Sequence, residues 1–435
     1  MRKPSFTLSF FLLLSSSFSL FADEKGANEN GGTETSTIAT VEAQDTSNST
    51  QQNVLTRVEL LDLPAYKSKL ASKSIVMSLS STKDGALVVG ERGHILLWNG
   101  DDNWQQQNVP VSVAITNATV LSDGSKIAVG HDSVILKNDS NSSQWFKVFT
   151  GWELTDLKIA AMEVQQVALE EVIENTTDED ELDELTYQLD DIIFGIEDAE
   201  LEKTAGPNQP LLSVVSTKDD TLFAVGAYGL FLTSKDKGKS WKFISSRLEN
   251  PDKFHLNDII YTSDEQLFIV GENGLAFHSA DNGDNWELID MPYTGSIFGI
   301  ISNPNAPKEL VAFGLQGNIM VSGNAGQSWD DDKLPTSASF LGGTFLDSGQ
   351  AVVVGHGGRV VSFYVNDLAG LKVQQHPSGA AFSSVLEQDQ YLVLGGQYGV
   401  EAWKPSDDIK LSPVSSNTDL SSADSSNTAK NNNDK

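Results

Sequence analysis

Cysteine is absent from this 435-residue chain and basic residues are scarce, with 29 Lys and Arg against 60 Asp and Glu and a formal net charge of −31. Without thiols there is no disulfide framework, no lipid-anchored cysteine and no thiolate zinc site. A charge of that sign argues against nucleic acid and anionic membrane surfaces as partners. Six His occur, none spaced i, i+4, so no metal or other cofactor is expected. The acidic run 178–184 lacks the glycine that an EF-hand turn needs. No Walker or dinucleotide motif is present, because each recurrent G-x-x-G lies between two strand-like runs rather than ahead of a helix.

What the chain has in quantity is repetition. Residues 268–286, FIVGENGLAFHSADNGDNW, hold a β-branched and aromatic run, a tight Gly271-x-x-Gly274 turn and a second run, which together read as a hairpin. Further copies lie at 87–98 (LVVGERGHILLW), 127–137 (IAVGHDSVILK), 223–234 (FAVGAYGLFLTS), 311–322 (VAFGLQGNIMVS), 352–363 (VVVGHGGRVVSF) and 392–403 (LVLGGQYGVEAW). The turn glycines Gly90, Gly130, Gly226, Gly271, Gly314, Gly355 and Gly396 are 40, 96, 45, 43, 41 and 41 residues apart. A strand-like run before each hairpin and another after it complete four antiparallel strands per unit. Seven such units predict an all-β, seven-bladed β-propeller over residues 54–411. The last repeat has no evident fourth strand. Residues 54–61 are expected to close the ring, in preference to 409–413, and so remove an edge open to aggregation.

The ends have other compositions. Met1-Arg2-Lys3 and the apolar run 6–21 form a secretory signal over residues 1–22. Leu20 stands where a small residue usually precedes cleavage, so a retained membrane tether stays open. An exported chain without cysteine points to a periplasm. Residues 23–53 and 412–435 are rich in Ser, Thr and Asn and read as a disordered linker and tail, too polar to offset the entropy of ordering.

After three hairpins comes S-x-D-x-G-x-x-W or a near match. The residues are Ser234, Asp236, Gly238 and Trp241; Ser279, Asp281, Gly283 and Trp286; and Ser322, Asn324, Gly326 and Trp329, where an amide replaces the acid. The expected chemistry is that of a turn: the Asp accepts backbone N–H bonds, the Gly takes a left-handed conformation and the Trp packs between sheets. These residues are assigned to structure, and none to catalysis.

With these Asp-box turns in register with the hairpins, the chain resembles the photosystem II stability and assembly factor family, exported seven-bladed Asp-box propellers. The resemblance covers residues 54–403 apart from one insertion. It implies a non-catalytic assembly or accessory factor that binds a protein partner, a membrane-protein complex; some relatives outside photosynthetic lineages are associated with exporters. We take the protein as a monomer. The family's surface patch is basic, whereas here Arg57, Arg92, Arg247 and Arg359 alone remain beyond the signal. The competing class is a sialidase-like glycosidase or a glycan-binding propeller. Such an enzyme needs clustered arginines, a Tyr nucleophile with an acid partner and an Arg-Ile-Pro motif; that motif is absent. Arg92 and Arg359 with Tyr228 and Tyr398 are the nearest approach to the rest.

Connectivity puts the G-x-x-G turns and the links between blades on the face opposite the Asp-boxes. The expected partner-binding face carries Glu91, Arg92, His131, Asp132, Tyr228, Glu272, Asn273, Gln316, His356, Arg359, Gln397 and Tyr398. Rigid hairpin tips of mixed character suit protein recognition, although solvated turns would account for each residue singly.

The long spacing between blades two and three contains the insertion, residues 151–206, which rises from this same face. Leu182, Leu185, Leu189, Ile192, Ile196 and Ala199, and before them Leu154, Leu157, Ala161, Val164 and Ala168, recur in steps of three and four. With a turn and cap at 175–178, this predicts an antiparallel helical hairpin with arms on the order of 30 Å long. It holds 18 Asp or Glu against two Lys. A solvated coiled-coil exterior accounts for the charge; a partner-docking arm is the sharper reading.

Overall fold

A computed structural model describes residues 59–411 except 84, 99–103 and 141. The signal, the linker, residues 54–58 with Arg57, and the tail lie outside the described residues. Seven antiparallel sheets span residues 76–106, 115–149, 211–243, 256–288, 297–333, 340–375 and 382–403. They are blades one to seven. Their first strands neighbour one another in that order, and blade seven's meets blade one's.

The second strand of a blade shows why the hairpin's first run reads as continuously apolar. In Gly85–Gly90, Leu222–Gly226, Leu267–Gly271 and Ala351–Gly355 every residue is buried. Each of these strands is sandwiched between two other sheets, so neither of its faces meets water and alternation disappears. The inner strands, such as Val76–Thr82 and Leu256–Tyr261, bury only two residues each, Val76 and Leu79 or Leu256 and Ile259, and leave the others half-buried or, at Ser81, exposed. The cores form between successive blades: Phe223, Val225 and Phe231 of blade three pack with Ile259, Ile269 and Phe277 of blade four.

The repeating glycine that starts each turn has one physical cause. A Cβ on Gly90, Gly130, Gly226, Gly271, Gly314, Gly355 or Gly396 would lie 2.0–2.4 Å from a carbonyl oxygen just before or at the start of that blade's inner strand. Only a residue without a side chain lets the two backbones come so close.

Six sheets have four strands; the seventh has three among the described residues. The part of the expected closing strand that is described goes elsewhere. Leu61 is buried with Leu87 and Ile95 of blade one and Ile115 and Val134 of blade two. Leu60 O and Val109 O tie the segment there by bonds from Ser112 N (2.9 Å) and Ala65 N (3.0 Å). The described part of the competing segment, residues 409–411, is no strand either: Ile409 plugs the junction of blades six and seven beside Val352 and Leu394. Among the described residues the end blades meet by direct contact. Ser383 Oγ donates to Val76 O (2.7 Å), Leu79 N donates to Ser384 Oγ (3.1 Å), and Val76, Leu79 and Val88 share a core with Val393 and Val400.

The insertion is an antiparallel pair of helices, α1 (Gly151–Asn175) and α2 (Glu179–Ala205). Thr150 and Glu153 form a capping box at the start of α1, and Asp178 caps α2 by accepting from Asp180 N and Glu181 N, both 3.1 Å. The α2 stripe lies where the heptad places it, half-buried from Leu182 to Ile196 and buried at Ala199. The α1 stripe needs correction beyond its first turns. Val164 is 71% exposed and Ala168 is exposed, while Ile159, Met162, Leu169 and Ile173 face inward. The base explains the shift: Leu154 must fill the core with Phe149 and Leu230, and that docking fixes the rotation of the whole helix.

Candidate functional site

Two faces of the ring are built differently. On one, the Asp-box turns close the third and fourth strands. Ser234 Oγ donates to Asp236 Oδ1 (2.8 Å) and accepts from Gly238 N (2.9 Å), while Asp236 Oδ1 also accepts from Lys239 N and Ser240 N at 3.0 and 2.9 Å. Ser279 and Asp281 repeat this set with Gly283 and Asn285. Asn324 retains the acceptor role toward Ser328 N (3.0 Å) and turns its amide onto Ser328 Oγ (2.8 Å). The turns also lock neighbours: a Cβ on Gly283, whose φ is +82°, would lie 2.3 Å from the Phe223 ring of the preceding blade. Trp286 meets Phe231 of that blade edge-on, with centroids 5.3 Å apart. The Ser hydroxyls and the Asp or Asn side chains of these turns are engaged within the turn, and Trp286 and Trp329 donate Nε1 to Gly283 O and Gly326 O, whereas Trp241 Nε1 is buried without a partner.

Partial burial pushes the Asp236 carboxyl up, but bonds from Ser240, Ser234 and Lys239 outweigh it and leave it at about 2. A folded value below the ordinary one means this stabilisation is present above about pH 4 and lost as pH falls toward 2. Asp236→Ala is expected to cost about 1 kcal/mol at neutral pH, comparable to a lost helix cap. In urea titrations the gap from wild type should close between pH 4 and 2.

On the opposite face stand the G-x-x-G turns. In each, the residue after the first glycine donates its N–H to the carbonyl just before or at the start of the inner strand: Glu91 to Ile75, His131 to Ala114, Ala227 to Pro210, Glu272 to His255, Leu315 to Ser296, His356 to Ser339 and Gln397 to Ala381, at 2.9–3.4 Å. In six turns the next residue takes a left-handed conformation, with Arg92, Asp132, Tyr228, Asn273 and Gln316 at φ of 55–58° and Gly357 at 69°. It is therefore pushed outward as a tip. Lys237, Asn282 and Ala325 adopt the same conformation in the Asp-boxes, so backbone strain does not distinguish the two faces.

The twelve expected face residues divide by what holds them. Arg92, Tyr228, Asn273, Gln316, Gln397 and Tyr398 are exposed. Glu91, Glu272 and Gln397 also cap inner strands, accepting from Ile75 N, His255 N and Ala381 N. His131 and Asp132 are half-buried where α1 begins, since a Cβ on Gly151 would lie 3.0 Å from Asp132 O. His356 and Arg359 are half-buried on blade six. Tyr228 and Glu272 come together through His255: the Tyr228 and His255 rings are 4.8 Å apart, and His255 Nδ1 lies 3.0 Å from Glu272 Oε2. The His255 bond holds the Glu272 carboxyl below its usual range despite burial. His255 lies outside the repeat motif, and only pairing of blade edges brings it to the site. Arg92 and Arg359 belong to blades one and six, with blade seven between them. Among the described residues no group of three His, Cys, Asp or Glu side chains is placed to hold a metal ion.

A closed ring of seven such sheets with Asp-box turns defines a seven-bladed propeller of the Asp-box class. Residues 207–294, the two blades with complete Asp-boxes, match the sequence model of the photosynthesis system II assembly factor YCF48. No curated protein sequence matches the chain. Among solved structures it is similar to YCF48 bound to D1 peptide, at 12% identity and a TM-score of 0.51, covering 79% of this chain and 99% of that one. It is similar as well to a catalytically inactive virginiamycin B lyase from Staphylococcus aureus with quinupristin (11% identity, TM-score 0.55, 76% and 94% covered). The WD40 propeller domain of Doa1 aligns at 11% identity with a TM-score of 0.50, covering 81% and 99%. At these identities the likenesses establish the fold, which binding proteins and a lyase share.

Proposed function

We propose that the protein is an exported, non-catalytic binding propeller, an assembly or accessory factor that engages a protein subunit of a membrane complex through its G-x-x-G face. The observation that carries this reading is the ring of tips itself. Seven turns are pinned by one repeated backbone bond, and they hold exposed Arg92, Tyr228, Asn273, Gln316 and Tyr398 on a rigid frame, with Tyr228 half exposed at 50% and Tyr398 at 62%. Tyr and Arg are the residues that dominate protein interfaces. The YCF48 structure with a D1 peptide supports the same class of partner. The scarcity of arginine, four residues beyond the signal, and the missing Arg-Ile-Pro motif weigh against carboxylate-sugar hydrolysis.

A photo-crosslinking residue at position 228 or 398 is expected to capture a membrane-protein subunit from solubilised membranes. The same residue at position 282, in an Asp-box, should capture none. Equal capture from both faces, or turnover of 4-methylumbelliferyl-sialic acid that Arg92→Ala abolishes, would overturn the reading.

A further inference from the structure

We infer that the outward side of α2 docks a cationic amphipathic helix of a partner protein. Besides the inward stripe, α2 carries Tyr187, Phe194 and Leu201, spaced seven residues apart and 71%, 63% and 67% exposed. At 100° per residue they fall on one line, nearly opposite the stripe that faces α1. The line is about 21 Å long at 1.5 Å per residue. Among the described residues nothing in the propeller covers it, and large apolar side chains aligned in water mark a contact surface.

The charges around the line select its occupant. Asp183, Asp190, Asp191, Glu197 and Asp198 each stand three or four residues from Tyr187, Phe194 or Leu201, and all five are exposed. The two lysines of the insertion cannot offset them, because Lys158 pairs with Glu202 (3.2 Å) and Lys203 with Asp156 (2.7 Å). The line supplies one apolar residue per heptad, with acidic residues three and four positions away flanking it on both sides. Its complement is a helix with apolar residues at a and d and Lys or Arg at e and g. A second copy of this chain is a poor occupant, since each insertion carries 18 acidic groups against two basic ones and two such surfaces repel. This surface is separate from the tips of the ring, so neither proposal depends on the other.

The test uses the full chain and a labelled 21-residue peptide with Leu at a and d and Lys or Arg at e and g, followed by fluorescence anisotropy. Binding is expected, with affinity falling as salt rises. The triple variant Tyr187→Gln, Phe194→Gln, Leu201→Gln should bind at least tenfold more weakly while retaining wild-type helical circular dichroism. A peptide of equal charge with Ser in place of Leu should also bind at least tenfold more weakly. Undiminished binding by the triple variant overturns the inference, as does equal binding of the Ser peptide, which would reduce the contact to bulk charge. Sedimentation showing a wild-type dimer that the triple substitution dissolves would also overturn it, by assigning the line to a second copy.

Discussion

Gly399→Ala is expected to lower the unfolding free energy by about 2–4 kcal/mol, the sum of overpacking and a left-handed backbone forced on a residue with a side chain. Gly399 has a φ of +97°, and a Cβ there would lie 2.1 Å from Ser72 O and 2.5 Å from Lys73 Cα. Those atoms belong to the short turn Ala71–Lys73 that leads into the inner strand of blade one. The substitution therefore strikes the seam where the ring closes. The end blades pack face to face, so separating them exposes Val76, Leu79, Val393 and Val400 together. Gly323→Ala is the control, since nothing lies within 4 Å of a Cβ there, and it should leave the midpoint within a few tenths of a kcal/mol. Urea denaturation reads both. An unchanged midpoint for Gly399→Ala would show that the Ala71–Lys73 turn does not hold the seam.

The second large effect changes sign with pH. Asp258, on the inner strand of blade four, bridges three blades: Ser213 Oγ of blade three donates to Oδ1 at 2.8 Å, and Ile300 N of blade five donates to Oδ2 at 3.1 Å. Its surface is not wholly closed, yet the surrounding strands strip enough water that burial pushes its carboxyl up to about 6, against the bonds from Ser213, Ile300 and Ile259. The native state then holds its proton more tightly than the unfolded chain, whose value is about 3.9. Stability from this group is complete below about pH 4 and declines as pH rises through 6, a loss of about 2–3 kcal/mol at 1.36 kcal/mol per unit. Asparagine has one acceptor: with its carbonyl in the place of Oδ1 it keeps the bonds from Ser213 Oγ and Ile259 N, while its amide meets Ile300 N, another donor, and that bond is lost. Asp258→Asn should trail wild type at pH 4 by about 1–2 kcal/mol, the cost of the unmatched Ile300 N, and overtake it by pH 8 as wild type loses its own about 2–3 kcal/mol. A loss at pH 8 would mean that the ionised carboxylate's bonds outweigh its desolvation.

Much of the architecture was written in local patterns. A blade is a short-range object, so its turn glycines, the buried second strand and the Ser-Asp-Gly-Trp turn each sit within about 20 residues of one another, and the period near 40 counts the blades. The face bearing the tips followed from connectivity, since an antiparallel chain must place alternate turns at opposite ends. The helical insertion and its Asp178 cap were legible for the same reason.

What the local pattern left undecided depends on residues far apart in the chain. Leu61 belongs between blades one and two, and no four-strand count reveals that. The α1 stripe was misplaced past its base because Leu154 answers to the blade-three core rather than to α2 alone. His255 enters the tip cluster only because Tyr228 of blade three is brought to the edge of blade four. Sequence by itself determined the repeating unit, its number and its two faces, because hydrogen-bonded hairpins and turn chemistry act over short spans. Tertiary structure decided the closure of the ring, the rotation of the hairpin and which tips stay exposed, because each is set by packing between residues whose separation along the chain carries no signal.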